Sequence, residues 1–173
     1  SSGYARVVRR WQRGTDLAAA LIVFTAEKEH VSAQATMLEY GTDRSPLLIR
    51  ATGFFESELA VLDSAGKARD LPVPKDCDVE GYFAGELILG LKSDWSIGGQ
   101  TFVAGDYVSF KLSPVVAGAA PQPKLLFHPS ATQAAQSLNV AKDAVYVSYL
   151  DNVRGRVAGY RLMGKAWVGE AVA

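Results

Sequence analysis

Serine, histidine and acidic side chains are the residues of this chain that could carry hydrolytic chemistry, so a nucleophilic serine is considered first. A hydrolase serine on a strand–turn–helix elbow lies between two glycines, as Gly-x-Ser-x-Gly, with an acid and a histidine further along the chain. Ser64 has Gly66 two positions later, but Leu62 stands where the first glycine would be. We therefore interpret Ser64 as part of a tight turn and predict no catalytic residue in this chain.

The two histidines are the next candidates, because histidine is the commonest general base. His30 follows the charged run Glu27-Lys28-Glu29, and His128 precedes Pro129 at the end of a predicted strand. Their spacing is not that of a metal site. We interpret His30 as a loop residue and His128 as a rim residue, and we assign neither to a catalytic triad.

A metal site is suggested only by the sequence Asp76-Cys77-Asp78. Along an extended strand the two carboxylates would lie on one side and the thiol on the other. No third ligand is visible, so we interpret the run as a charged loop between repeats, and we predict no metal and no cofactor. Since Cys77 is the single cysteine, an intrachain disulfide and a cysteine-based zinc site are excluded.

Aromatic side chains near glycines are candidates for ligand binding. Trp95 precedes the pair Gly98-Gly99, and such a loop could offer a stacking surface with a close backbone approach. The same residues also suit a loop folded back on its own sheet, so both interpretations stay open and Trp95 is the candidate substrate-binding residue. We interpret Phe54-Phe55 as core residues. The carboxylates Glu56 and Glu58 are the nearest approach to a glycosidase pair.

Charge patterning excludes one broad class of function. Eighteen basic and eighteen acidic side chains cancel, whereas nucleic-acid binding depends on a basic excess. Four arginines surround Trp11 near the start of the chain, and we interpret them as a solvated outer strand with cation–π contacts. They are Arg6, Arg9, Arg10 and Arg13. We expect neither a nucleic-acid partner nor a membrane span.

The elements that must position these residues are short strands bounded by turn residues, with almost no helical periodicity. Three copies of a four-strand plan fill residues 31–74, 78–129 and 133–173, and two further strands within residues 4–25 resemble half a copy. A period of roughly 45 to 50 residues with four strands per unit is typical of β-propeller blades. We predict an all-β fold over residues 1–173: a partial propeller of about three and a half antiparallel blades, in one domain fragment. We interpret residues 16–20 as an approach to a strand and residues 114–123 as irregular.

Several stretches resemble one family of proteins. The most specific text is Leu-Lys-Ser-Asp-Trp-Ser-Ile-Gly-Gly-Gln-Thr-Phe-Val-Ala-Gly at 91–105, and it is similar to a segment of the prolyl oligopeptidase family of serine peptidases. Further similar stretches occur in the same order at 3–15, 50–59 and 150–156. The resemblance implies a seven-bladed propeller joined to an α/β-hydrolase domain with a Ser–Asp–His triad. In such enzymes the propeller covers the active site, admits short peptides and excludes folded proteins, and cleavage typically follows proline.

The resemblance implies that the chain forms part of a channel wall and contacts the hydrolase domain of the same parent chain, with short peptides as substrates. Two other functions stay open: a non-catalytic propeller module that binds a protein or ligand, and a glycosidase built on a propeller. Because a partial propeller leaves blade faces uncovered, we expect the chain to self-associate. The cytoplasm is the favoured compartment, and the periplasm is also compatible.

Overall fold

Three four-stranded antiparallel sheets account for most of the fold in the computed structural model, which describes residues 3–172. In each sheet the strands lie side by side in chain order, as in the blades of a propeller. Blade 1 contains β3 (Ser32–Tyr40), β4 (Asp43–Ala51), β5 (Ser57–Leu62) and β6 (Ala68–Asp70). Blade 2 contains β7 (Asp78–Phe83), β8 (Glu86–Gly90), β11 (Tyr107–Lys111) and β12 (Lys124–Phe127). Blade 3 contains β13 (Gln133–Val140), β14 (Val145–Asp151), β15 (Arg154–Met163) and β16 (Ala166–Ala171).

A two-stranded sheet precedes blade 1 and forms the half blade, with β1 (Val7–Arg10) paired to β2 (Leu21–Thr25). The prediction of about three and a half antiparallel blades is therefore confirmed. The prediction that residues 16–20 lead into a strand as extended chain was wrong, because Leu17–Ala19 is a turn of 3-10 helix. Asp16 closes that turn by accepting from the Ala18 amide at 3.0 Å.

Blade 2 carries two insertions that the other blades lack. A hairpin of β9 (Trp95–Ile97) and β10 (Gln100–Phe102) lies between its second and third strands. A short helix, α1 (Leu112–Val116), follows the third strand, so the interpretation of residues 114–123 as wholly irregular was wrong at its beginning. Leu112 and Val115 anchor this helix because both side chains are buried in the core.

The core lies between blades. Every residue of β8 is buried, because Leu87 and Leu89 face blade 1 while Ile88 faces blade 3. This burial on both sides explains why Leu87-Ile88-Leu89 is apolar without alternation. In β14 only Val145 and Val147 are buried, and Tyr146 lies on the outer face of blade 3, which no described blade covers.

The connections between strands divide the fold into two ends, and hydrogen bonds show that the three blades point the same way. The Tyr40 hydroxyl donates to the Lys142 carbonyl oxygen at 2.6 Å, and the Tyr82 hydroxyl donates to Asp43 Oδ2 at 2.6 Å. These contacts join the turns after the first strands; we call this side the Tyr40 end, and it also holds the connections between third and fourth strands. The opposite side, the Phe54 end, holds the connections between second and third strands and those between blades.

The assignment of residues 1–173 to one domain fragment stays a prediction. Residues 1, 2 and 173 of that range lie outside the described residues. Within residues 3–172, no helix is both long enough and apolar enough to cross a membrane.

Candidate functional site

The Phe54 end exposes the most solvent-accessible large apolar side chains among the described residues. Phe54 is 93% exposed, Phe55 86% and Val153 90%. They lie at the tips of connections in blades 1 and 3 that occupy the same topological position, between the second and third strands. These three side chains occupy separate turns on the same end of the fold. We call them together the apolar rim, and they are the clearest candidates for contact with another molecule or domain.

The interpretation of Phe54-Phe55 as core residues was wrong. The amides of Thr52 and Gly53 both donate to the Glu56 carbonyl oxygen, at 3.0 and 3.2 Å, which closes a tight turn. The two phenylalanines therefore form the tip of the turn rather than part of a strand, and both rings point away from the blade. Gly53 just after a strand was the sequence signal that could have indicated this turn.

Val153 is held in an unusual backbone conformation. Asn152 has φ of 46° and Val153 has φ of 62°, so both central residues of the β14–β15 turn are left-handed. Such turns favour Asn-Gly, and a β-branched residue at positive φ costs about 1–3 kcal/mol. A strained, exposed valine contributes little to folding, so its place on the apolar rim points to a contact outside the described residues.

Charged side chains next to the apolar rim are paired with one another. Glu58 accepts from Arg50 Nε at 2.8 Å and from Lys75 Nζ at 2.7 Å. The hydrogen bond from Lys75 is the main cause that lowers the pKa of Glu58, with Arg50 adding to it. These ion pairs hold Glu58 ionised at the surface. Glu56 is exposed, so the two carboxylates considered for a glycosidase lie in different surroundings.

Trp95 lies in the core between blades 1 and 2. Its ring centroid is 6.4 Å from that of Phe110 and 6.5 Å from that of Phe102, and only 9% of the residue is exposed. Gly98 and Gly99 have φ of 60° and 77°, as a tight hairpin turn requires. The structure thus favours the hairpin folded back on its own blade, and a substrate-binding role for Trp95 stays a prediction.

The two histidines lie in different connections and serve local contacts. His30 Nδ1 accepts from the Glu27 amide at 3.1 Å, within one turn. His128 Nδ1 lies 2.7 Å from Asp106 Oδ1, and this buried carboxylate also accepts from the Val103 amide at 2.9 Å. Among the described residues, neither histidine has a serine as a hydrogen-bond partner.

The Asp76-Cys77-Asp78 run forms a loop between blades 1 and 2. Asp76 accepts from Ser93 Oγ at 3.0 Å and Asp78 pairs with Lys92 Nζ at 2.7 Å, so both carboxylates have protein partners. Burial, reinforced by the two neighbouring aspartates, raises the pKa of Cys77 to about 12. Within residues 3–172 no group of three or more His, Cys, Asp or Glu side chains is placed to hold a metal ion.

The arginines near Trp11 make backbone contacts in the half blade. Arg6 donates to the Glu27 carbonyl oxygen and Arg9 donates to the Ala20 carbonyl oxygen, the latter at 3.1 Å. The cation–π contact in the structure involves a different arginine: Arg50 lies 4.8 Å from the centroid of the Phe24 ring. Arg6 and Arg9 therefore make contacts next to or within the half blade, whereas Arg50 of blade 1, which also donates to the Thr25 carbonyl oxygen at 3.2 Å, joins the half blade to blade 1.

The first strands of the three blades are gathered on one side of the fold, since β7 contacts both β3 and β13. Their exposed residues are of mixed type: five are uncharged and polar, four are apolar and two are acidic, Glu39 and Asp78. The uncharged polar residues are Gln34 and Thr36 in β3 and Gln136, Ser137 and Asn139 in β13. These are the side chains that would line the central channel of a propeller.

Comparison with known proteins agrees with the architecture. The chain is 32% identical over 177 residues to the "Uncharacterized peptidase y4nA" of Sinorhizobium fredii, covering 96% of this chain and 24% of that protein. It is 24% identical over 174 residues to the "Uncharacterized peptidase RP174" of Rickettsia prowazekii, with the same two coverages. Among solved structures, a post-proline cleaving enzyme from Rickettsia typhi matches 99% of this chain and 26% of its own, with a TM-score of 0.86 and 22% identity. No family model matches the chain.

By fold the chain is a partial β-propeller. Its similarity in sequence to curated peptidases, and in fold to a post-proline cleaving enzyme, confirms the resemblance to the prolyl oligopeptidase family. The chain spans about a quarter of the length of the proteins that it matches, so it corresponds to one part of each of those larger proteins.

Proposed function

We propose that this chain is part of the propeller wall of a prolyl oligopeptidase-like serine peptidase, and that it limits which peptides reach a hydrolase active site outside these residues. The observation that carries the proposal is the match of nearly the whole chain to one quarter of a peptidase, at 32% identity. Within residues 3–172, Ser64, His30 and His128 lie in three different connections.

A wall that selects by size must be rigid. Blade 2 provides rigidity because it is covered on both sides, with Leu87, Ile88 and Leu89 fully buried. Uncharged polar side chains on the first strands, such as Gln34 and Gln136, suit a channel that an extended peptide passes without binding tightly. Peptide backbone groups would stay hydrated there. The two exposed acidic residues of these strands, Glu39 and Asp78, are paired with Arg44 and Lys92.

The apolar rim is the proposed contact surface for the α/β-hydrolase domain of the parent chain. Burial of a phenylalanine side chain contributes about 1.5–3 kcal/mol, so Phe54 and Phe55 together could contribute several kcal/mol to docking. The ion pairs around Glu58 would form the polar border of such an interface.

The test is peptide hydrolysis by the whole gene product that carries this chain. We expect cleavage of a short proline-containing peptide and no cleavage of a folded protein that contains the same sequence. In the Phe54→Ser, Phe55→Ser double variant we expect the short peptide to be cleaved more slowly. We also expect the folded protein to become a substrate if docking loosens and the channel opens. A Leu125→Ser variant is the matched control, because Leu125 is 46% exposed on the outer strand of blade 2, away from the apolar rim.

A non-catalytic binding module is the second candidate, and the same apolar rim favours it. Hydrolysis separates the two functions. If the whole gene product cleaves no peptide and encodes no Gly-x-Ser-x-Gly elbow, the peptidase proposal fails and the rim becomes the binding surface of a module. If hydrolysis occurs but the double variant behaves as wild type toward both substrates, the peptidase stands and the assignment of the rim to domain docking fails.

A further inference from the structure

A cavity of about 800 Å³ opens at the Tyr40 end, between the outer parts of blades 2 and 3. Three separate connections converge on it: the loop after α1 at 119–123, the β15–β16 turn at 162–165, and the tip of the inserted hairpin at 97–100. The hairpin connects second and third strands, but it folds back along blade 2 from the Phe54 end, so its tip lies beside Lys111 and Lys124. The size of the cavity lies within the range of about 300–1,000 Å³ that small-molecule sites occupy. The cavity is on the opposite end from the apolar rim, so docking at the rim would leave it open.

A buried ionic network forms the floor of this cavity. Glu86 is only 2% exposed; its Oε1 accepts from Lys124 Nζ at 2.6 Å and its Oε2 accepts from Ser109 Oγ at 2.9 Å. Trp167 of blade 3 donates through Nε1 to Ser109 Oγ at 2.8 Å, which ties the two blades together. The Lys124 ammonium compensates the negative charge of Glu86, so the positive charge left for an incoming anion comes from Lys111 and Lys165.

Positive charge dominates the lining of the cavity. Lys111, Lys124 and Lys165 line it together with Glu86, which leaves a net charge of +2. Lys124 is engaged with Glu86, and Lys111 donates to the Ala84 carbonyl oxygen at 2.7 Å. Lys165 is an exposed residue of the β15–β16 turn, and within residues 3–172 no hydrogen-bond acceptor or acidic partner holds its ammonium group.

The remaining lining is mainly apolar, with Gln100 and Gln122 as its polar side chains. Ile97, Val115 and Leu162 contribute branched side chains, and three prolines of the α1 region border the same space. An apolar wall beside a few convergent polar groups is the usual composition of a small-molecule site. Such a wall would bind an aliphatic body, while the lysines would bind a negative group.

We propose that this cavity binds a small amphipathic organic carboxylate, with the carboxylate at Lys165 and Lys111 and the aliphatic body against Ile97, Val115 and Leu162. This proposal also gives the inserted hairpin a role. Trp95 fixes the hairpin to the core, and the hairpin tip with its Gly98-Gly99 turn forms one side of the site.

The test is isothermal titration calorimetry on the whole gene product, with two carboxylate probes that differ in source. Octanoate represents a fatty acid, and N-acetyl-Leu-Leu with a free carboxyl end represents a peptide terminus; the amide of each is the neutral control. The Lys165→Glu variant should bind the preferred carboxylate about tenfold more weakly, because attraction becomes repulsion at short range. Lys165→Gln should lie between that variant and wild type.

Blade 1 offers a matched control. Lys67 occupies the equivalent turn, in the same Gly-Lys-Ala sequence, and it is exposed and outside the cavity. The proposal is supported if one carboxylate binds saturably, its amide binds more weakly, and Lys165→Glu weakens binding while Lys67→Glu does not. It is overturned if neither carboxylate binds, if acid and amide bind equally, or if the two lysine variants behave alike. Circular dichroism on each variant establishes that it is folded.

Discussion

The Lys124→Met variant should lose a large part of its stability, because it would leave the buried Glu86 carboxylate without its cation. Glu86 is 3% exposed at the side chain and Lys124 22%, so water reaches the pair from one side only. Removing one partner of a buried ion pair costs about 3–5 kcal/mol. The opening on the Lys124 side admits some water to the remaining carboxylate, so we expect about 2–4 kcal/mol, somewhat less than for a fully buried pair.

Urea denaturation measures this loss, and a double-mutant cycle assigns it to the charge. Glu86→Gln should restore most of the stability of Lys124→Met, because the amide keeps a hydrogen bond to Ser109 and removes the buried charge. Lys111→Met is the control, since that lysine is exposed and donates to a backbone carbonyl oxygen. A loss below about 1 kcal/mol for Lys124→Met, or a double variant no more stable than Lys124→Met alone, would refute this reasoning.

Three further predictions concern strain, reactivity and association. Val153→Gly should raise the free energy of unfolding by about 1 kcal/mol, because glycine tolerates the φ of 62°; a lower urea midpoint would contradict the strain. Cys77 should react slowly with a disulfide reagent at pH 8 until urea unfolds the chain, because its raised pKa of about 12 keeps the folded thiol neutral; equal rates with and without urea would contradict its burial. The sedimentation coefficient of the 173-residue chain should rise with concentration, because Leu21 and Ile22 of the half blade are 61% and 54% exposed. A Leu21→Ser, Ile22→Ser variant should self-associate less. A monomer at every concentration would refute self-association.

The blades could be predicted from the sequence because their signal is local. The run Leu87-Ile88-Leu89 is apolar at three successive positions, which indicates a strand buried on both faces, and the structure confirms it. Turn residues at a regular spacing then place the other strands. The half blade followed from the same pattern, although Asp16 capped a 3-10 turn where an extended approach was expected.

The site features could not be predicted because they depend on contacts between distant residues. Lys124 and Glu86 are 38 positions apart, and Trp167 is 58 positions from Ser109, so no spacing rule connects them.

The interpretation of Phe54-Phe55 as core residues was wrong for a different reason. Two consecutive aromatics are usually buried, and only the backbone bonds within the turn show that these two are not.

Blade 2 explains why the candidate functional features lie in connections rather than in strands. Both faces of its second strand pack against neighbouring blades. A polar or charged substitution there would therefore disrupt two blade interfaces. The inserted hairpin and α1 leave the sheet at the ends of its central strands, where added residues cost little packing. The same holds for the turn of Phe54 and the turn of Val153 in the neighbouring blades. A scaffold of covered strands thus fixes the positions of the two ends, and the connections give each end its own chemistry: apolar tips at the Phe54 end, and a lysine-lined cavity at the Tyr40 end.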